Sequence, residues 1–286
     1  MTIAAPLDTL LSRPHDCGSR AGAGAVAIAR AGERSAVTRA FAASPLRLLM
    51  PRNHGRAAWV YTSTYGGGLV DRDALALDVD VGTNAAALIA TQAATKVYRS
   101  PNGTSMTMTA RVADGGLLVV CPDPVVCFRG ASYRQDQRIE LAATSALVLV
   151  DWLTSGRHAS GERWAFDRYA NRLAIRRDGR HVALDALTLD RGDGDLVRRM
   201  GRFDVVLAAV LIGPAVAPYA AALASQIAET PIARRSDLAA AASPIAGDGC
   251  LLRMIGTSVE AVGRAAREYL RFVPALLGDD PWSRKW

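Results

Sequence analysis

The chain has 286 residues, half of them hydrophobic, and a formal net charge of +7. This composition excludes a fibrous protein and an acidic disordered chain, and it supplies enough apolar side chains for a packed core. The basic residues are spread along the whole length and aromatic residues make up only 6%. Nucleic-acid binders usually concentrate their charge on one face, so nucleic acid is not an expected partner.

Residues 1–22 show no sustained hydrophobic period and are interpreted as a flexible N-terminal leader. Residues 23–286 are interpreted as one β domain. Charged residues such as Arg13 and Asp16 stand where a secretory signal would have its apolar segment, so the cytoplasm is the expected location. None of the four cysteines forms a Cys-x-x-Cys pair, and their even number does not establish a disulfide framework.

Short runs of alternating apolar and β-branched residues predict a mainly β fold from residue 23 onward. Three segments, 77–89, 108–120 and 138–149, each read as strand, small turn, strand. They place Val81, Val112 and Leu141 at equivalent positions, 31 and 29 residues apart. A recurring unit of about 30 residues favours a β-helix-like stack of strands. Three ordinary hairpins in a sandwich are the alternative.

Residues 205–228 carry no charge, but a glycine and two prolines interrupt them. A membrane-spanning helix needs about 20 predominantly apolar residues without such breaks. The segment therefore predicts a buried strand over 205–212 and an alanine-rich helix over 218–228, and no membrane is expected.

The better of two predicted helices lies near the C-terminus. Thr257 and Glu260 fit a capping box, and Pro274 is expected to end the helix. One apolar stripe at helical spacing comprises Val259, Val262, Ala266, Tyr269, Leu270 and Val273.

Several chemistries lack their motifs in this chain. There is no Gly-Lys-Ser/Thr phosphate loop, no His-Glu-x-x-His and no Gly-x-Ser-x-Gly. The four histidines are scattered, so a closed metal cage is not expected. Cys121 and Cys127 flank a Pro-x-Pro bend and are interpreted as buried apolar groups.

Carboxylates near glycines and strand ends remain as candidates. Asp78 and Asp80 share one face of a strand, which most simply is a solvated outer face, although they could also bind a divalent ion loosely. Asp151 ends a very apolar strand and is either a turn cap or a buried acid with a perturbed pKa.

Seven segments resemble the UreD family of urease accessory proteins, called UreH in some organisms. They are Gly66-Gly-Gly-Leu-Val-Asp-Arg-Asp73, Leu75-Ala-Leu-Asp-Val-Asp-Val-Gly82, Thr91-Gln-Ala-Ala-Thr-Lys-Val-Tyr-Arg-Ser100, Pro122-Asp-Pro-Val-Val-Cys-Phe-Arg-Gly-Ala131, Gly156-Arg-His-Ala-Ser-Gly-Glu162, Arg253-Met-Ile-Gly256 with the helix after it, and Arg271-Phe-Val-Pro-Ala-Leu-Leu-Gly278. The resemblance covers about residues 30–286. It departs from the family at Asp71 and Arg72, where the family often has two glycines.

The resemblance implies a β-helix-like stack with two helices and a scaffold that is not an enzyme. Such proteins bind apo-urease, recruit UreF and through it the GTPase UreG, and help to deliver nickel to the urease active site. No tightly bound cofactor is implied: GTP belongs to UreG, and nickel is bound transiently in an internal, water-filled tunnel. Homodimerisation through the complex is compatible with this role.

The resemblance also indicates site residues. Asp73 and Glu162 match family acids and are predicted tunnel or interface carboxylates, and Asp151 is added for its position at a buried strand end. Structural or partner-facing roles are expected for the signature residues Gly66, Gly67, Gly68, Thr95, Lys96, Tyr98 and Arg99. The segment 270–286 is expected to contribute to an apolar patch for UreF.

An enzyme is the alternative. On a β-solenoid, Asp73 and Glu162 could act as the acid pair of a carbohydrate-active enzyme. Such a pair must lie about 5–10 Å apart, and this separation is not expected here.

Overall fold

The computed structural model describes residues 20–245 and 247–283. Most of the predicted leader, residues 1–19, lies outside the described residues, as does the end of the chain, 284–286. The first strand begins at Ala23.

The described residues form seventeen strands and four α-helices. The strands are β1 Ala23–Ala31, β2 Arg34–Ala42, β3 Leu46–Leu49, β4 Ala58–Thr64, β5 Ala74–Val81, β6 Ala86–Thr91, β7 Thr95–Val97, β8 Thr104–Val112, β9 Leu117–Val120, β10 Val125–Cys127, β11 Ser132–Leu141, β12 Ala146–Thr154, β13 Arg168–Arg177, β14 Arg180–Asp190, β15 Val205–Ile212, β16 Leu238–Ile245 and β17 Gly249–Gly256. The helices are α1 Leu196–Met200, α2 Ala217–Glu229, α3 Val259–Tyr269 and α4 Val273–Leu277.

The strands build two sheets that face each other. The first sheet has the order β14-β13-β11-β8-β5-β1-β2. The second has the order β16-β17-β15-β12-β9-β6-β4-β3; in addition, β10 pairs with β12, and β7 pairs with β10. The middle of each sheet is parallel, and antiparallel hairpins flank it.

The chain alternates between the sheets in successive coils, as the 30-residue recurrence predicts. Val81 pairs with Val112, and Val112 pairs with Leu141, in parallel register. The small turns between them also stack, because Ala113 N–H donates to the Val81 carbonyl and Ala142 N–H to the Val112 carbonyl, both at 2.9 Å. The prediction of a β-helix-like, mainly β fold is confirmed.

Alternation along the strands produces two apolar layers. Between the sheets lie side chains such as Val79, Ile139 and Leu149, all about 1% exposed. On the other face of the second sheet, Leu88 and Leu252 pack under the helices. Helices α2, α3 and α4 therefore cover the second sheet. Asp78 and Asp80 stand partly exposed on the outer face of the first sheet.

The strand over 205–212 and the helix after it are confirmed, with the helical proline in the first turn of α2. Among the residues that the structure describes, every helix is too short or too polar to span a lipid bilayer.

The C-terminal prediction is right about α3 but wrong about its ends. Ser258, not Thr257, is the N-cap, and its hydroxyl accepts the Ala261 N–H at 3.1 Å. The helix ends at Tyr269, and Pro274 lies in the first turn of α4, where its missing N–H costs no hydrogen bond.

The predicted apolar patch over 270–286 is largely absent from the surface in the described part of that segment. Leu270, Val273 and Leu277 are at most 1% exposed. Because α4 folds back onto the second sheet, these side chains complete this protein's own core.

Candidate functional site

The loops that lead from the second sheet to the first stack on one another along one edge. We call residues 64–73, 92–103, 121–131 and 155–167 the loop edge. Tyr98 N–H donates to the Leu69 carbonyl, and Phe128 N–H donates to the Val97 carbonyl, each at 2.9 Å. Four segments of the family resemblance, those that begin at Gly66, Thr91, Pro122 and Gly156, lie on this edge except for Thr91 itself, which ends β6.

The glycine run allows the first two loops to approach. Gly66 and Gly67 have φ of 84° and 72°, a region that side chains disfavour. A Cβ on Gly68 would lie 2.8 Å from the Lys96 carbonyl oxygen and 2.7 Å from Cε2 of Tyr98. The signature residues thus build the contact between coils, with Thr95 at the start of β7 and the Arg99 side chain against Gly130.

The Asp73 carboxylate stabilises the turn that contains it. Its Oδ2 accepts the Val70 N–H at 2.8 Å. Before it, Arg72 has φ of 70°, so this position takes the backbone conformation that glycine adopts readily. Asp71 holds the turn from the other side by accepting the backbone and side-chain N–H groups of Asn102.

Glu162 is held by a two-point ion pair. Arg157 donates from Nη2 to Oε1 at 2.5 Å and from Nε to Oε2 at 3.1 Å, and the Arg129 N–H also reaches Oε2. The hydrogen bonds from Arg157 lower the pKa of Glu162, while burial opposes them. The side chain of Glu162 is only 10% exposed, so this carboxylate is ionised and largely enclosed.

A stack of side chains joins Glu162 to the signature. The Arg157 guanidinium lies 4.3 Å from the centroid of the Phe128 ring, and Tyr98 meets that ring edge-on at 5.1 Å.

Asp73 and Glu162 stand on opposite ends of the stack of loops. Their loops lead into β5 and β13, which are three strand spacings apart, with β8 and β11 between them. At about 4.8 Å per spacing this is about 14 Å. That separation exceeds the range of a hydrolytic acid pair.

The third predicted acid, Asp151, lies between the sheets rather than in a turn. It is 7% exposed, and Asn171 Nδ2 on the facing sheet donates to its Oδ2 at 2.5 Å. Burial raises the pKa of the Asp151 carboxyl to about 6. A hydrogen bond from Gln135 opposes this rise, and the nearby charge of Asp185 adds to it. The structure therefore decides for the buried acid over the turn cap.

Asp151 lines a cavity of about 270 Å³ between the sheets. In the second sheet Asp151 pairs in register with Ala208, which pairs with Arg253. All three side chains belong to one row across the sheet, and the methyl group of Ala208 leaves open space between the two charged neighbours. We call this space the inter-sheet cavity.

Arg253 and Asp185 bridge the sheets beside this space. Arg253 Nη2 on β17 donates to Asp185 Oδ1 on β14. The Asp185 side chain is 11% exposed and that of Arg253 is 59% exposed.

Sequence reasoning missed Asn171, Asp185, Ala208 and Arg253. The one available signal was alternation: Asn171 occupies an inward position between Tyr169 and Leu173, where an apolar residue is expected.

The prediction that Cys121 and Cys127 are buried apolar groups is confirmed. Cys121 and Cys127 are buried, and burial raises the pKa of the Cys127 thiol. Within residues 20–245 and 247–283, no three or more His, Cys, Asp or Glu side chains gather to hold a metal ion.

Fold and site together define the class of protein: a β-helix-like stack with a polar cavity between its sheets and a glycine-rich loop edge along one side. Residues 20–286 match the model of the family described as UreD urease accessory protein. The chain belongs to this family.

Three relatives with the same family name align with this chain over 85% to 95% of their own lengths. The chain is 51% identical to the urease accessory protein UreD of Sorangium cellulosum (strain So ce56), covering 93% of this chain and 85% of the relative. It is 45% identical to UreD of Anaeromyxobacter sp. (strain Fw109-5), over 99% and 95%. It is 34% identical to urease accessory protein D of Oryza sativa subsp. indica, over 92% and 95%.

Proposed function

We propose that this protein serves urease maturation as a scaffold without turnover of its own. In this proposal it binds apo-urease, recruits UreF and through it the GTPase UreG, and lets nickel pass to the urease active site. Family membership and the names of the relatives support the accessory role. The cytoplasm, where urease is assembled in this proposal, is its expected location.

The inter-sheet cavity is the observation that carries the nickel part of the proposal. A passage must bind a cation weakly enough to release it, whereas a closed set of cysteine and histidine ligands holds zinc-like ions tightly. The inter-sheet cavity offers oxygen atoms of Asp151, Asn171 and Asp185, without such a set around them. Nickel is cargo in this scheme, and no resident cofactor is needed.

The loop edge has a different part in the proposal. Glu162 is ionised and fixed by Arg157, and Asp73 closes a turn, so both stabilise the stacked loops of this edge. We propose that this edge presents a rigid surface to the partner proteins and that the two carboxylates help to guide nickel along it.

Blocking the cavity tests the conduit. Ala208→Leu fills the space between Asp151 and Arg253 without adding or removing a charge. The matched control is Ala174→Leu, a partly exposed position on the outer face of the first sheet. In a reconstituted system with apo-urease, UreF, UreG, GTP and nickel, Ala208→Leu should abolish most urease activation, while Ala174→Leu should retain it.

Binding and passage are separated by a second measurement. Both variants should co-purify with apo-urease and with UreF as the unmodified chain does. Full activation by a stably folded Ala208→Leu protein would refute passage through the cavity, and failure of the unmodified chain to co-purify with any of these partners would refute the scaffold.

A further inference from the structure

The inter-sheet cavity is lined by the edge strand β14 and by Arg253, whose side chain is largely exposed, and this lining places its opening on the side of the molecule where both sheets end. There β14 is the last strand of the first sheet, and β17 with β16 ends the second. Asp185, Ala186 and Leu187 of β14 line the cavity from one side, and Arg253 lines it from the other. In the described structure, the ion pair between Asp185 and Arg253 crosses this opening.

The two partners of this pair differ in their exposure to water. The Arg253 side chain is 59% exposed and the Asp185 side chain is 11% exposed. An exposed guanidinium can leave an ion pair and be solvated at little cost, because water replaces the lost contact. The enclosed carboxylate cannot, since a buried charge without a partner is strongly unfavourable.

We propose that the Asp185–Arg253 pair is a cation-selective gate at this mouth of the inter-sheet cavity. A divalent cation that reaches Asp185 replaces the charge of Arg253, so the arginine can swing into solvent without leaving the carboxylate unpaired. A solute without positive charge offers no such replacement and finds the opening closed. The row Arg253–Ala208–Asp151 then leads the cation from the gate to the second acid.

This inference rests on the proposed conduit but has its own test, which does not involve urease. Ala208→Cys places a thiol inside the cavity, in a Cys17→Ser background. The remaining cysteines, Cys121, Cys127 and Cys250, are buried. The probe is the rate at which a trimethylammonium methanethiosulfonate reagent modifies the new thiol, compared with a neutral reagent of similar size.

Opening the gate by mutation should expose the thiol. Arg253→Gln should raise the modification rate at least tenfold for both reagents. Asp185→Asn should raise it at least tenfold for the neutral reagent and should abolish the preference for the cationic one, because the carboxylate that attracts the cation is gone. The matched control is Arg271→Gln, which breaks an exposed ion pair with Glu268 elsewhere on the surface and should leave the rate unchanged. With the gate intact, the cationic reagent should react faster than the neutral one.

Three results would overturn the gate: unchanged rates in both gate variants, an equal rise in the Arg271→Gln control, or no preference for the cationic reagent. If the Ala208→Cys protein does not fold, Val206→Cys probes the same cavity wall. A gate that fails this test leaves the Ala208→Leu activation result standing, so the two proposals are refuted separately.

Discussion

Replacing Asp151 by asparagine should make the protein more stable at neutral pH and change how its stability depends on pH. The pKa of Asp151 is raised from 3.8 to about 6, chiefly by burial. At about 1.36 kcal/mol per pKa unit, ionising this carboxyl in the folded state costs roughly 3 kcal/mol more than in the unfolded chain. Asparagine keeps the shape and an oxygen for Asn171, but carries no charge.

The direction in which stability changes with pH follows from the protons that the folded and unfolded states bind. Between about pH 4 and pH 6 the folded protein holds the Asp151 proton and the unfolded chain does not, so stability falls as the pH rises through this window. Above about pH 6 the whole penalty is present. The variant should therefore match the unmodified protein near pH 4 and exceed it by up to about 3 kcal/mol above pH 6.

Urea unfolding across this pH range measures the difference directly. Glu162→Gln is the control of opposite sign, because hydrogen bonds from Arg157 lower the pKa of Glu162. The ionised Glu162 stabilises the folded state above the usual glutamate pKa, so Glu162→Gln should lower the stability in that pH range. Two parallel stability curves for the Asp151→Asn and unmodified proteins would refute the assignment of Asp151 as a buried, perturbed acid.

Three further substitutions test local structure by the midpoint of urea unfolding. Ser258→Ala removes the cap of α3, the acceptor for the Ala261 N–H, and should cost about 1 kcal/mol; no change would contradict the cap. Arg72→Gly should stabilise by about 1 kcal/mol, because φ at this position is 70°; destabilisation would show that the Arg72 side chain matters more than the strain. Gly68→Ala should cost more than about 1 kcal/mol, since the new methyl group would meet the Lys96 carbonyl; a neutral effect would mean that the loops can separate freely.

The repeat in the sequence predicted the architecture because it is a property of local pattern. Val81, Val112 and Leu141 each end an alternating strand before a small turn. Because the three units have the same local pattern, their strands stack in register. Helix ends were harder to place, since Thr257 and Ser258 are both good caps and only the path from β17 selects Ser258. A proline such as Pro274 can follow the end of one helix or lie in the first turn of the next. The packing of α4 on the second sheet places it in the first turn of α4.

The coil, the glycine edge and the family could be predicted from the sequence, because periodicity and turn residues act over short stretches of chain. The inter-sheet cavity could not. Asp185 and Arg253 are 68 residues apart and lie on different sheets, and no local pattern specifies which strands will face each other across a core. The same holds for Asp151: the sequence left a turn cap and a buried acid open, and the polar partner Asn171 and the raised pKa of the carboxyl depend on the sheet that covers it.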